Sequence, residues 1–139
     1  MILPDSNIFV YASKGEQPYA DLIQRLIIKD KLLISSIVAA EFMAGGTPTE
    51  RKRLQALIDE LGTLPIDTKT ALQSARYRRQ FRAEGYRLKL PDALIAATAK
   101  VNRADLVTNN LSHYPMTDIK ILDKEAILLS YASSANRLF

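Results

Sequence analysis

Three carboxylates and one amide in this chain stand where short apolar runs end and helices begin. Asp5 follows Ile2-Leu3-Pro4 and opens Asp5-Ser6-Asn7. Glu41 lies one to two turns beyond a second run, Leu32-Leu33-Ile34, among Val38, Ala39, Ala40, Phe42 and Met43. Asp92 stands between Pro91 and Ala93-Leu94-Ile95-Ala96-Ala97, and Asn110 follows a third run, Leu106-Val107-Thr108. A carboxylate in apolar surroundings is costly unless it is paired or bound to a cation. Several that converge cannot all ionise without a counter-charge. Hard divalent ions supply one, taking oxygen ligands, waters and substrate phosphates, and carboxylate-held ions promote in-line attack on phosphodiesters. Each residue also has an ordinary reading. Asp5 serves as a turn or cap residue, Asp92 as a first-turn residue favourable to the helix dipole, and Glu41 as half of a salt bridge. A helix as apolar as the one around Glu41 is expected to be buried.

Composition narrows the chemistry. The chain has no cysteine, which removes disulfides, thiolate metal sites and cysteine nucleophiles. A single histidine, His113, argues against a Ser-His-Asp triad or a multi-histidine metal site and reads as structural. Nothing approaches the roughly 18 consecutive apolar residues of a membrane span. The opening Met-Ile-Leu-Pro-Asp lacks a basic leader, so the expected location is cytoplasmic. The net charge is +4, and its excess lies in residues 69–89. There Lys69, Arg76, Arg78, Arg79, Arg82, Arg87 and Lys89 face one acidic residue, Glu84. Such a segment is either a solvated helix face or a surface for a polyanion.

The elements that must position these residues follow from periodicity and punctuation. Ile2-Leu3 reads as a strand stopped by Pro4. Helical spacing covers 18–30, then a helix capped at Ser35 or Ser36 runs to Met43 and stops at Gly45-Gly46. A further helix starts at Thr47 or Thr49 and ends at Gly62. Leu64-Pro65-Ile66 is a short extended piece, and Thr68 begins a long helix through Ala83, ended by Gly85. Pro91-Asp92 open an Ala-rich helix to about 101. Leu106-Val107-Thr108 and Ile119 to Leu122 are strands, and 123–131 is helical; 132–139 carries no signal. Apolar runs alternating with helices predict an α/β fold. The expectation is one domain over 1–139, a parallel sheet of four to five strands covered by helices on both faces. In such sheets ligands gather beyond the carboxyl ends of the strands.

The ordered set Leu3-Pro4-Asp5-Ser6-Asn7, Ala40-Glu41, Leu90-Pro91-Asp92-Ala93-Leu94-Ile95-Ala96 and Leu106-Val107-Thr108-Asn109-Asn110 resembles the PIN-domain ribonucleases, and among them the VapC-like toxins of toxin–antitoxin operons. The resemblance implies that Asp5, Glu41 and Asp92 hold Mg²⁺ or Mn²⁺. It implies supporting roles for Ser6, Asn7 and Thr108. At the fourth acidic position this chain has Asn110, which can ligate but carries no charge; Asp118 is a more distant substitute. The activity implied is metal-dependent cleavage of RNA. Arg76, Arg79, Arg82 and Arg87 are candidates for its phosphates. The partners implied are a VapB-like antitoxin and a second copy of the chain, as a homodimer. The Asn110 departure leaves an alternative, a catalytically weak or inactive RNA-binding protein of the same fold. Tyr11 and Tyr19 read as packing residues near the first motif, and His113-Tyr114-Pro115 stands where relatives often show a loop ended by Phe.

Overall fold

In the computed structural model, which describes residues 1–136, a small parallel sheet sits among seven helices. β1 (Ile2–Pro4) lies beside β2 (Asp105–Val107), and β2 beside β3 (Ile121–Leu122), in the order β1-β2-β3. The register pairs Leu3 with Leu106 and Pro4 with Val107. On the other side of β1, two extended segments make only isolated parallel bridges, Ile2 to Leu32 and Ser35 to Leu64. The sheet therefore has three strands rather than the four to five expected. Proline explains part of this. The Ile2 amide donates to Lys31 O at 2.8 Å. Two residues on, Pro4 faces the same side and has no N–H to continue that ladder. Pro4 thus closes the strand from inside it. Beyond Ser35 the chain turns at once into a helix, which limits the second bridge.

The helices are α1 (Ser6–Ser13), α2 (Tyr19–Ile28), α3 (Ser36–Gly45), α4 (Pro48–Leu61), α5 (Thr68–Ala83), α6 (Leu90–Val101) and α7 (Lys124–Asn136). Sequence punctuation located most of them. Thr47 and Glu50 form a reciprocal capping box at the start of α4, with Pro48 in the first turn. Gly62 and Gly85, at φ +75° and +80°, supply the left-handed residues that end α4 and the α5 turn. α1 was not anticipated. Its Ile8-Phe9-Val10-Tyr11 stretch has strand-like composition. Burial of Ile8 and Phe9 and a cap from Asp5 override that preference. The single 3₁₀ turn Leu111–His113 was also missed. α7 continues through Asn136, past the predicted end at 131; the rest of the tail expectation, 137–139, lies outside the described residues.

Leu3, Ile8, Leu22, Leu26, Ile34, Val38, Ile95 and Leu106 form the fully buried centre. α6 crosses it with Ala93, Ala96, Ala97 and Ala99, all buried. These small side chains let α6 lie close against its neighbours, among them α5. Among the described residues no helix is long and apolar enough to cross a membrane.

Candidate active site

The strand register builds the first half of the site. Because Pro4 pairs with Val107, the next residues after the two strands, Asp5 and Thr108, also fall side by side at the carboxyl end of the sheet. Asp5 N donates to Val107 O at 2.8 Å. Thr108 Oγ1, wholly buried, donates to Asp5 Oδ2 at 2.9 Å and accepts from the Asn110 amide at 3.0 Å. Asp5 also caps α1: its Oδ1 accepts from Ser6 N at 2.7 Å. Only 5% of Asp5 is exposed, so its orientation is set by these donors rather than by solvent.

Two helix starts supply the other carboxylates. Ser35 Oγ caps α3 by accepting from Val38 N at 3.1 Å, which places Glu41 in the second turn of that helix. α6 starts at Leu90 with Pro91 in its first turn, and Asp92 follows. Lys89 occupies the cap position without a side-chain cap bond, so Asp92 does not cap this helix with its side chain. Instead Asp92 Oδ1 lies 3.5 Å from Tyr114 Oη, and Oδ2 lies 3.8 Å from His113 Nδ1.

Asp5, Ser6, Asn7, Glu41, Lys89, Asp92, Asn110 and His113 line one solvent-open cleft of about 620 Å³, together with Pro91. Glu41 stands at its exposed rim, which corrects the expectation that α3 is buried all round. Only Val38 and Phe42 of α3 are buried, because α3 packs on the core along one narrow line. Two of the carboxyls have raised pKa values. Partial burial, then the charges of Asp5 and Asp92, push the Glu41 carboxyl above its usual range. Desolvation, then the charge of Asp5, does the same to Asp92, against the opposing pull of His113, Lys89 and the Tyr114 hydroxyl. The cleft is thus short of positive charge. Asn7 adds a buried Oδ1 with no donor. Among the described residues no three acidic or histidine side chains close into a cage of their own. A cation held by these oxygens would have to keep several of its waters, as Mg²⁺ does.

Other expectations land differently. Asp118 is committed elsewhere, accepting from Tyr77 Oη at 2.8 Å and pairing with Lys100 at 3.3 Å, so it does not replace the fourth carboxylate. His113, expected to be structural, is exposed on the cleft. The basic residues divide. Arg82 and Arg87 share a concavity with Arg78 and Tyr86 next to the Leu88–Lys89 approach to the cleft. The Tyr86 hydroxyl ties this loop to Ser112 O at 2.8 Å, beside His113. Arg76 lies with Lys69, Lys100 and Arg103 around the carboxyl end of α6. Eight residues of helix separate Lys100 from Asp92, about 12 Å along the axis. Arg79 is exposed on α5. Tyr11 stacks on Tyr19 at 4.9 Å between centroids, and Tyr19 Oη accepts from Asn109 Nδ2 at 2.9 Å. Lys89, marked in sequence only as part of the basic segment, and Tyr114, marked only within His113-Tyr114-Pro115, were given no role at the site. Lys89 could have been given one, as the residue before Leu90-Pro91-Asp92; the link of Tyr114 to Asp5 spans 109 positions and leaves no local trace.

Comparison with known proteins gives the family and the fold. The sequence profile of the PIN domain matches residues 2–116. Ribonuclease VapC19 of Mycobacterium tuberculosis is 33% identical over 117 residues, covering 84% of this chain and 94% of that protein. Ribonuclease VapC10 of the same organism is 31% identical over 116 residues, covering 84% and 87%. The crystal structure of VapBC2 from Rickettsia felis, bound to a DNA fragment from its promoter, contains a chain that superposes with a TM-score of 0.76 at 26% identity, covering 88% of this chain and 98% of that one. By sequence profile, relatives and fold alike, the chain belongs to the PIN domain family.

Proposed function

We propose that this protein is a divalent-ion-dependent endoribonuclease, acting as the toxin of a toxin–antitoxin pair. The observation that carries the reading is the convergence of Asp5, Glu41 and Asp92, from a strand end and two helices, on one cleft. The ribonuclease names of its relatives support the substrate class. Asp5, Glu41 and Asp92 are the residues that would hold Mg²⁺ or Mn²⁺, with Asn110 as a neutral oxygen donor. A bound ion of this kind lowers the pKa of a coordinated water and offsets charge developing on a phosphodiester. The chain's own residues do the rest. Thr108 and the Ser6 amide fix Asp5; Lys89 brings a positive charge to the cleft; Arg82 and Arg87 hold phosphates on its approach. Such phosphate contacts position a strand and do not select its sequence.

The two-part names of the structural neighbours support a protein partner. This reading assigns that partner the groove among α1, α2, α3 and α4, whose lining includes Phe9, Ile23, Ile27, Leu54 and Leu57. A homodimer and a cytoplasmic site of action belong to the same reading. The decisive substrate test is competition between single-stranded RNA and DNA of one sequence in Mn²⁺. RNA cut and DNA spared is the expected result; DNA cut as fast contradicts the ribonuclease assignment. A second reading, an RNA-binding protein without cleavage, is favoured by Asn110, and predicts salt-sensitive RNA binding with no fragments.

A further inference from the structure

Tyr114 is a buried polar residue in contact with two carboxylates of the cleft, and the proposed function gives it no task. Its ring is 4% exposed and belongs to the core. Its hydroxyl lies 2.9 Å from Asp5 Oδ2 and 3.5 Å from Asp92 Oδ1. It has one proton, and the shorter distance lies within the ordinary range for an O–H donor while the longer lies outside it. The proton therefore goes to Asp5. Thr108 Oγ1 donates to the same oxygen at 2.9 Å. An ionised carboxylate offers about two acceptor sites per oxygen, so Oδ2 is filled by two buried hydroxyls. Oδ1 accepts Ser6 N at 2.7 Å, with Ser6 Oγ distant at 3.4 Å, and keeps spare capacity.

Resting on the nuclease reading of this cleft, we propose that Tyr114 is a positioning residue whose hydroxyl turns Asp5 Oδ2 inward, leaving Oδ1 as the single oxygen that Asp5 presents to a divalent cation. The phenol also stands between Asp5 and Asp92, 2.9 Å from one and 3.5 Å from the other. With a neutral amide at Asn110, only one ion is expected to be held. A phenylalanine at this position keeps the ring in the core and removes only the hydroxyl, so the two contributions separate.

The test is Mn²⁺ binding to the purified full chain, followed by calorimetry and by the electron spin resonance of free Mn²⁺, for wild type, Tyr114→Phe and Tyr114→Leu. Loss of an outer hydrogen bond to a ligating carboxylate typically weakens metal affinity roughly 10–100-fold. The expected result is one Mn²⁺ per wild-type chain, with a loss of that size in Tyr114→Phe, whose unfolding stays cooperative. Wild-type affinity in Tyr114→Phe with a loss only in Tyr114→Leu assigns Tyr114 to packing and overturns the inference. Two equal, tight Mn²⁺ sites in the wild type also overturn it. No Mn²⁺ uptake by the wild type overturns the nuclease reading itself, and this inference with it.

Discussion

The carboxylates at the cleft differ in how the protein treats their charge. Asp5 is buried and meets Ser6 N, Thr108 Oγ1 and Tyr114 Oη. Replacing it with Asn leaves an NH₂ facing hydroxyl or amide donors, at a cost of about 1–3 kcal/mol. Equilibrium urea unfolding of Asp5→Asn measures that loss. Asp92 and Glu41 are the reverse case, with carboxyl pKa values raised in the ion-free protein by desolvation first and then by the charge of Asp5, to which Asp92 adds at Glu41. For a carboxyl raised above its unfolded value, the folded state holds the proton more tightly. Its contribution to stability is full below the unfolded pKa and is lost as pH rises through the folded pKa. The ion-free protein should therefore be relieved by Asp92→Asn at neutral pH, its melting midpoint rising by roughly 1–3 °C. A melt in EDTA checks this; the difference should shrink as pH falls through the folded pKa of Asp92 and vanish below its unfolded pKa. Sequence marked all three acids because each broke a local expectation, a charge beside apolar residues. It could not rank them by burial, since burial of Asp5 depends on Thr108 and Tyr114, more than a hundred positions away.

Among the elements, those with local punctuation were legible and those made by pairing were not. The α5 span Thr68–Ala83 was legible from Thr68 at one end and Gly85 at the other; the structure adds Asp67 as its N-cap. The α4 start follows from Thr47, Pro48 and Glu50. Thr47→Ala should cost about 1 kcal/mol in chemical denaturation by loss of the capping box. It should leave RNA cleavage unchanged, since Thr47 lines no part of the cleft. The sheet was overcounted because an apolar triplet such as Leu32-Leu33-Ile34 looks like a strand whether or not its neighbour can donate. Pro4 removes one donor, and α3 begins too soon for a second rung. α1 was undercounted for the opposite reason, its composition favouring a strand while its buried face and Asp5 cap favour a helix. Yet α1 positions Asp5, Ser6 and Asn7 together, so its absence from the sequence reading hid how the first motif works.

At the scale of the whole molecule, charge is distributed in two places that sequence merged into one basic segment. Arg82 and Arg87 line a concavity that reaches Leu88, one residue before Lys89 of the cleft, whereas Arg76 stands with Lys100 and Arg103 at the far end of α6. Each phosphate contact to single-stranded nucleic acid contributes about 0.7 to the slope of log affinity against log salt. Replacing both Arg82 and Arg87 with Ala should reduce that slope by about 1.4. Arg76→Ala should leave cleavage rate and RNA affinity at the cleft close to wild type. Filter-binding titrations across salt concentrations measure both. The measurement that bears most directly on the whole is cleavage of total cellular RNA by purified, partner-free chain in Mg²⁺, Mn²⁺ or EDTA, with Asp92→Asn alongside. Discrete fragments that require the ion and disappear in Asp92→Asn are the predicted result. Fragments that persist in EDTA or in a folded Asp92→Asn protein would contradict a reaction run by the Asp5, Glu41 and Asp92 cleft.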